Sequence, residues 1–463
     1  MAYVLLSIIL IGLLLIATEK VNRINKAAVA MFAGVFCWLL YIAQGSTFVL
    51  GEHSLDFSSF ISANGMTTTS VKEFIADHIF LKYVEKSAEI VLFLIATTTI
   101  MEVLNNNGCF DFIRSWLRAR SPRVLLWMIT LISFVLSANV DNLATTILLL
   151  SIIHPMLQDG KAKRIIVANT VIAASCGGAV TVIGNMTSLK LWTESLVTPT
   201  QYFLTLIIPM LVCLGITTHL LATNLPHRTP YSECPPIYRG DDNLLHRWQR
   251  DLMLVLGIGG LWFIPTFHRI TLMPPFVGAL CVLALIWFVN ELFNRTLMGS
   301  DKMVSKRMPL ALQYANMQNI LYFIGVVLMF GAFTETGLAR QFCQFCMLRL
   351  HNVYLINLIM AGMATAFGDV CTLFGGVSIF TAWPPTPRFD TTALQPDGIF
   401  WPLLNYCTTI GGLLLSTSSI AGMVMMRMED ISFGWYFKHV TPKVLTGFLA
   451  GMVILTCMGY AMG

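Results

Sequence analysis

Residues 134–192 read FVLSANVDNLATTILLLSIIHPMLQDGKAKRIIVANTVIAASCGGAVTVIGNMTSLKLW. Two polar interruptions break this apolar run: Ser137-Ala138-Asn139-Val140-Asp141-Asn142, then Gly177-Gly178 through Gly184-Asn185-Met186-Thr187-Ser188. Each places hydroxyls, amides and glycines where a membrane helix should be continuous, and the first adds a carboxylate. In hydrocarbon, broken backbone survives only when it is buried in protein or lines a wet cavity. The interruptions therefore read as the walls of an ion or solute site.

The rest of the chain supplies the membrane context. Of 463 residues, 56% are hydrophobic and 11% charged, with a mean hydropathy of +0.72. A soluble domain carries roughly 25% charged residues, so the composition is that of an all-α polytopic membrane protein. Apolar runs of about 17 to 22 residues recur throughout, enough for a bilayer core of roughly 30 Å. No polar segment is long enough for a soluble domain. Tyr3 to Ala17 lacks a positive lead and a small-residue cleavage site, and is read as a retained span rather than a signal peptide. The net charge of +5 is spread over loops, which points to topology and away from nucleic acid. Cys343 and Cys346 have CxxC spacing without a second pair, and no enzyme nucleophile, phosphate loop or metal-ligand pattern is present. Neither a cofactor nor a catalytic residue is expected.

Loop charges set the topology. The basic turn through Arg23 and Lys26 is assigned to the cytoplasm, and the stretch from Glu52 to Lys86 to an outer loop. Ser87 to Leu104 is a span carrying Glu89 and Glu102, each about a turn from an interface and each a candidate charge modulator. Phe110 to Arg123 reads as an interfacial helix. The halves Val124–Leu136 and Leu143–Ile153 are short and have basic flanks on both sides, which predicts a re-entrant hairpin near 124–154 with Ser137 to Asn142 at its tip. A helix broken around 177–188 follows, near 165–195, and then a span from Tyr202 to Thr223. A polar loop (Pro226, Pro230, Pro235-Pro236, Arg239), two spans and a second basic loop (Arg295, Lys302, Lys306, Arg307) join the halves.

The pattern then recurs. A span precedes Val353–Ala366 and Thr372–Ala382, short halves around Gly368-Asp369, and a helix near 400–428 is broken at Gly411-Gly412 and Ser416-Thr417-Ser418-Ser419. Asp369 lies 228 positions after Asp141, and Gly411 lies 234 after Gly177. The flanks of the second hairpin, including Trp383-Pro384-Pro385, are poor in Lys and Arg, so it enters from the opposite side. The expected architecture is an inverted-repeat secondary transporter with about ten crossings and two re-entrant hairpins. Its parts are amino-terminal spans (1–86), a first repeat (87–223), a linking region (224–317) and a second repeat (318–463). The amino-terminal spans are available for a homodimer contact.

A carboxylate in such a break holds either a proton or a metal cation, which is the minimal device for exchange. Asp141 is the first candidate, with Asp369 as its partner by repeat position. A hard cation such as sodium needs several oxygen ligands. Ser137, Asn139, Asn142, Thr145, Asn185, Thr187 and Ser188 supply them in one half; Ser416, Ser418 and Ser419 do so in the other.

Met101-Glu102-Val103-Leu104, Ser137 through Thr146, Gly177-Gly178-Ala179, Ile183-Gly184, Trp192, Trp401 through Ser419 and Phe433-Gly434-Trp435-Tyr436 together resemble the NhaD-type sodium/proton antiporters of the ion transporter superfamily. The resemblance implies sodium or lithium efflux driven by inward proton movement at Asp141, Asn142, Asp369 and the Ser/Thr breaks, in a bacterial inner membrane. The chain departs from that pattern at Asn185, where the family has an acidic residue, and near Ser175, where it has asparagine. Val370 stands in place of a family asparagine, and Lys190 in place of an uncharged residue. Lys190 is then either a counter-ion to Asp141 or a side chain reaching for the interface. Two other functions stay open: a sodium-coupled symporter for an organic anion of the dicarboxylate or citrate kind, and a transport-inactive membrane scaffold.

Overall fold

Helix boundaries follow local capping. Asn25 caps the helix Lys26–Ala43 through its side chain, Thr67 caps Thr68–Phe74, Ser121 caps Pro122–Asn139 with Pro122 in the first turn, Asp141 caps Asn142–Met156 and Asn352 caps Val353–Phe367. The computed structural model describes residues 2–65, 67–117, 121–158, 160–225, 245–294, 317–350, 352–382 and 392–462. Its helices are α1 (Ala2–Ala17), α2 (Glu19–Asn22), α3 (Lys26–Ala43), α4 (Gly45–Glu52), α5 (Ser54–Asn64), α6 (Thr68–Phe74), α7 (Leu81–Asn106), α8 (Asp111–Leu117), α9 (Pro122–Asn139), α10 (Asn142–Met156), α11 (Lys161–Val180) and α12 (Met186–Thr193). They continue with α13 (Pro199–Ala222), α14 (Arg247–Thr271), α15 (Pro275–Asn294), α16 (Met317–Glu335), α17 (Leu338–Leu350), α18 (Val353–Phe367), α19 (Asp369–Phe380), α20 (Phe400–Leu414), α21 (Ile420–Met428), α22 (Phe433–His439) and α23 (Thr441–Met462). Among the described residues, nine helical stretches are long and apolar enough to cross a bilayer, and α1, α10, α18 and α19 are shorter apolar helices.

One succession occurs twice. A long helix (α7, α16) leads to a short connector (α8, α17), a helix pair (α9–α10, α18–α19), a broken helix (α11–α12, α20–α21) and a closing helix (α13, α23). In both cases the first helix of the pair lies along the first part of the broken helix, α9 on α11 and α18 on α20. The flanking helices cross over. α3 packs along α16, with Trp38 Nε1 donating to the Leu328 carbonyl at 3.0 Å, whereas α15 packs along α7, with Asn107 Nδ2 donating to Asn290 Oδ1 at 2.7 Å. Each half is thus braced by the helices that precede the other. Among apolar neighbours, close packing and interhelical hydrogen bonds of this kind hold membrane helices together.

The structure moves several expected boundaries. The outer loop expected from Glu52 to Lys86 is largely helical, since α6, a π-helical turn at Ile75–Phe80 and α7 run on as one stretch of 39 residues. α9 has 18 residues and keeps Ser137 and Asn139 in its last turn, so the first break is confined to Val140 and Asp141. The second pair is interrupted at Gly368 alone. Both glycine pairs expected to unwind a helix are helical instead, and the breaks fall at Thr181–Asn185 and Leu415–Ser419. Close packing explains those glycines. A Cβ on Gly177 would lie 2.2 Å from the Phe134 carbonyl oxygen, and one on Gly411 would lie 2.5 Å from that of Ala361. They let the paired helix touch the broken helix at backbone distance. The polar loop through Pro226 to Arg239, the basic loop through Arg295 to Arg307, Arg118 and Arg120, and Trp383-Pro384-Pro385 lie outside the described residues.

Candidate functional site

The two breaks of the first half are stitched to each other. The Asn142 amide donates to the Gly184 carbonyl at 3.1 Å, Thr181 Oγ1 to the Ala138 carbonyl at 2.7 Å, and Ser137 Oγ to the Ala174 carbonyl at 2.6 Å. Gly178 sits between them, with its Cβ position 3.0 Å from Ser137 Oγ and 3.1 Å from the Asn142 Cβ. Asp141 is therefore held where hairpin tip and broken helix meet, 3% exposed.

Its two carboxylate oxygens have different surroundings. Oδ2 caps α10, accepting from the amides of Leu143 at 3.1 Å and Ala144 at 3.3 Å, while Oδ1 has no hydrogen-bond partner among the described residues. The same holds for Thr145 Oγ1 one turn along α10, Ser175 Oγ on α11, and Thr187 Oγ1 and Asn185 Nδ2 at the start of α12. Buried polar atoms are nearly always paired, so five such atoms on the elements of one junction mark a polar site rather than a packed core. Four are hard oxygens of the kind a sodium ion takes. Asn142 begins α10 and is buried beside them; Asn139 is turned back, with Nδ2 on the Val135 carbonyl at 2.5 Å, and Ser188 Oγ is bonded to the Asn185 carbonyl at 2.9 Å.

The second half repeats the stitching with a different side-chain inventory. Ser418 Oγ donates to the Thr365 carbonyl, as Thr181 does to that of Ala138. A Cβ on Gly412 would lie 3.0 Å from the Asp369 Cβ, as one on Gly178 would from that of Asn142 at 3.1 Å. These matches set the correspondence one residue away from the expected one. Asp369 is the first helical residue of α19 and matches Asn142, whereas the cap position of Asp141 is taken by Gly368. Gly368 has φ of +96°, a conformation that disfavours a side chain, which excludes a second aspartate at the cap. Asp369 is 6% exposed, and its Oδ1 accepts from the Val370 amide at 2.8 Å. Thr372 Oγ1, which matches Thr145, is also unpaired among the described residues. Of the serines, Ser416 Oγ donates to Met426 Sδ at 3.0 Å, whereas Ser419 stands at the N-cap of α21 without a side-chain capping bond.

Charges near the site fall differently from either expectation. Lys190 is buried, donates to Glu194 Oε1 at 2.5 Å and lies over the Phe374 ring, 5.4 Å from its centroid. Glu194 also accepts from Lys86 at 2.7 Å. Lys190 thus has a partner one turn along its own helix, neither reaching for the interface nor serving as counter-ion to Asp141. The i, i+4 spacing was the available signal. Glu89 and Glu102 are half-buried on α7, and the charge of Glu89 acts on Lys190. Lys26, read from sequence as a loop charge, is the first residue of α3 and is buried, over the Tyr322 ring at 4.8 Å. A cluster absent from the sequence reading joins α10, α11 and the end of α21: Glu429 lies 3.0 Å from both Lys163 and His154.

Comparison with known proteins agrees with this architecture. The chain is 27% identical over 444 residues to sodium/proton antiporter 2 of Arabidopsis thaliana, covering 96% of each chain. It is 23% identical over 416 residues to the Na(+)/H(+) antiporter NhaD of Vibrio cholerae, covering 84% of this chain and 81% of the other, and 25% identical over 408 residues to NhaD of Vibrio parahaemolyticus, covering 82% and 91%. The NhaD resemblance read from the motifs is therefore matched across most of the chain. The sequence model of the CitMHS family, described as citrate transporter, matches residues 13–375, and the chain belongs to this family of membrane transporters rather than to an enzyme family.

Proposed function

We propose that the protein exchanges sodium or lithium for protons across its membrane, with cation and proton competing for Asp141. The observation that carries this reading is the divided carboxylate: Oδ2 is held by the α10 amides, while Oδ1 is buried and, among the described residues, unpaired, on elements that also carry the likewise unpaired hydroxyls of Thr145, Ser175 and Thr187. A proton neutralises that oxygen, and so does a cation ligated by it; both at once would leave excess positive charge in a low-dielectric site. Relatives named as sodium/proton antiporters support the same exchange. Asn142, Ser137, Asn139, Asn185 and Ser188 shape the binding half, and Asp369 with Thr372, Ser416, Ser418 and Ser419 forms its counterpart.

In this reading residues 87–223 and 318–463 are two oppositely oriented copies, and alternating access moves their hairpins and broken helices against a frame formed by 1–86 and 224–317. The crossed bracing of α3 on α16 and α15 on α7 supports such a frame. The location is the inner, or plasma, membrane; the frame is the surface offered to a second copy.

The family description favours a second reading, citrate or dicarboxylate symport with sodium. Against it, Asp141 and Asp369 would repel an anion, and the Lys190 ammonium is already held by Glu194.

Everted vesicles carrying a pH-sensitive dye test the proposal. Sodium should evoke dequenching with the native protein and none with Asp141→Asn at equal membrane content. Sodium-evoked dequenching that persists in Asp141→Asn removes Asp141 from the mechanism, and citrate-dependent sodium uptake by proteoliposomes without proton exchange establishes the symport reading.

A further inference from the structure

Glu429, Lys163 and His154 join the two halves but take no part in the cation site. Glu429 is the C-cap of α21, and its Oε2 lies 3.0 Å from Lys163 Nζ on α11; the two side chains are 3% and 6% exposed. Its Oε1 lies 3.0 Å from His154 Nδ1 on α10, which is 3.4 Å from the same ammonium. α21 packs against both helices, and the three side chains fasten its end to them. Those helices carry the Asp141 cap, Thr145 and Ser175, whereas α21 starts next to Ser419, in the break of the second half. One short helix thus runs from the second break to an ion pair with the first half.

α21 borders two cavities at this end. The smaller, about 170 Å³, is lined by His154, Lys163, Arg164, Met428, Glu429 and Asp430, so the cluster stands in its wall. The larger, about 460 Å³, is bordered by Met423, Met426 and Arg427 of α21 and by Arg23 and Asn25 before α3. Met426 Sδ in turn accepts from Ser416 Oγ of the second break at 3.0 Å. The helix therefore has space to leave α10 and α11, and water can reach the ions it would release. A buried ion pair suits such a movement, because desolvation offsets much of its Coulomb attraction and rehydration on parting returns that cost. The first half carries the same device at the corresponding position, where Glu194, the C-cap of α12, lies 2.7 Å from Lys86 Nζ on α7.

We propose that Glu429 is a positioning residue that clasps the two halves together at the α10–α11–α21 end of the exchange route: paired with Lys163 and His154 it holds this end shut, and each exchange cycle requires the pair to part as α21 moves into the larger cavity. The inference rests on the exchange reading and adds to it the residue that governs access from one side. Glu429 ligates no transported ion; it acts through the placement of α21, and hence of Ser419 and the second break.

Arg164→Cys combined with Met428→Cys tests the movement and spares the cluster, since both residues are exposed and line the smaller cavity. In proteoliposomes, bridging the two thiols with a bis-methanethiosulfonate reagent should lower sodium-evoked proton movement about tenfold or more, and dithiothreitol should restore it. The native protein, with Cys281 and Cys457 exposed, receives the same treatment as the control. Exchange that stays within about twofold after bridging overturns the proposal, because the two helices then need not separate. A pair that the reagent leaves unbridged overturns it as well, because this end would then stand open at rest. Glu429→Gln added to the cysteine pair should cut the fraction bridged in a fixed time about threefold or more. An unchanged fraction makes Glu429 a static contact and overturns its role as the clasp. Lys163→Gln removes the same ion pair from the other side and decides the point where Glu429→Gln fails to accumulate. Failure of the exchange reading has a separate signature, sodium-evoked proton movement that is missing from the native protein or unchanged in Asp141→Asn.

Discussion

The two halves share a backbone plan and differ in what fills it. In the first, Thr181 stitches the breaks together and Asp141 caps the second helix of the pair, leaving one carboxylate oxygen and the hydroxyls of Thr145, Ser175 and Thr187 without partners among the described residues. In the second, Ser418 makes the equivalent stitch, a glycine takes the cap, and Asp369 follows it. A shared scaffold thus fixes where broken backbone can exist, and single side chains decide how many polar atoms each break leaves unpaired among the described residues. The asymmetry is physical: one break has acceptors to spare among the described residues, whereas the other has a glycine at the cap and its aspartate one residue later.

The comparison breaks most severely where both halves depend on contact between backbones. Gly177→Leu and Gly411→Leu should each prevent stable folding, because the side chain would have to enter a backbone at 2.2 Å or 2.5 Å, a cost of at least about 4 kcal/mol. Loss of monodisperse protein on detergent extraction is the readout, and a stable Gly411→Leu would show that the second contact is looser than the first.

Next come the carboxylates. Asp141→Asn should lower sodium-dependent proton exchange by about a hundredfold or more, and Asp369→Asn by only about tenfold. Equal losses would erase the distinction between halves. The native protein should also need more sodium as pH falls, since proton and cation occupy the same oxygen; an apparent KM independent of pH would contradict that competition.

Hydroxyls provide a finer test. Thr145→Val removes an unpaired buried donor, so it should weaken sodium affinity about three- to tenfold while leaving stability unchanged or raising it by up to about 1 kcal/mol. Thr181→Val and Ser418→Ala remove stitches and should do the reverse, lowering stability by about 1 kcal/mol with little change in affinity. Melting temperature and KM measured on the same preparations separate the two classes.

The smallest effect belongs to the frame. His53 Nε2 lies 2.6 Å from Glu335 Oε2, and that hydrogen bond raises the imidazole above its ordinary value of 6.5. A raised folded value means that the stabilisation is fully present below about pH 6.5 and fades as pH climbs through the higher value. The melting-temperature difference between the native protein and His53→Gln should therefore shrink from acid to alkaline pH, corresponding to less than about 1 kcal/mol. A difference that grows with pH would reverse the assignment.

Much of this was legible in the residues. Hydropathy marked the long apolar helices, and the hydroxyl-rich interruptions marked the helix pairs and broken helices in the right order. Asp141 was recognisable as a carboxylate that lipid would not tolerate without a purpose. The glycine pairs misled because glycine serves equally to unwind a helix and to admit a neighbour, and only the Phe134 and Ala361 carbonyls show which applies. Lys190 misled because Glu194, four residues on and the partner it takes, stood outside both readings. Lys26 was taken for topology because a lysine next to a capping Asn reads the same whether it faces water or Tyr322.

By itself, then, the sequence determined the class of the molecule and the order of its helices and breaks, because hydrophobicity and polar interruption are properties of consecutive residues. Tertiary structure alone decided that Asp369 matches Asn142 rather than Asp141 and that Lys26 lies over the Tyr322 ring. Those relations join residues separated by as much as most of the chain, and a one-residue register between helices is set by packing, which no local pattern records.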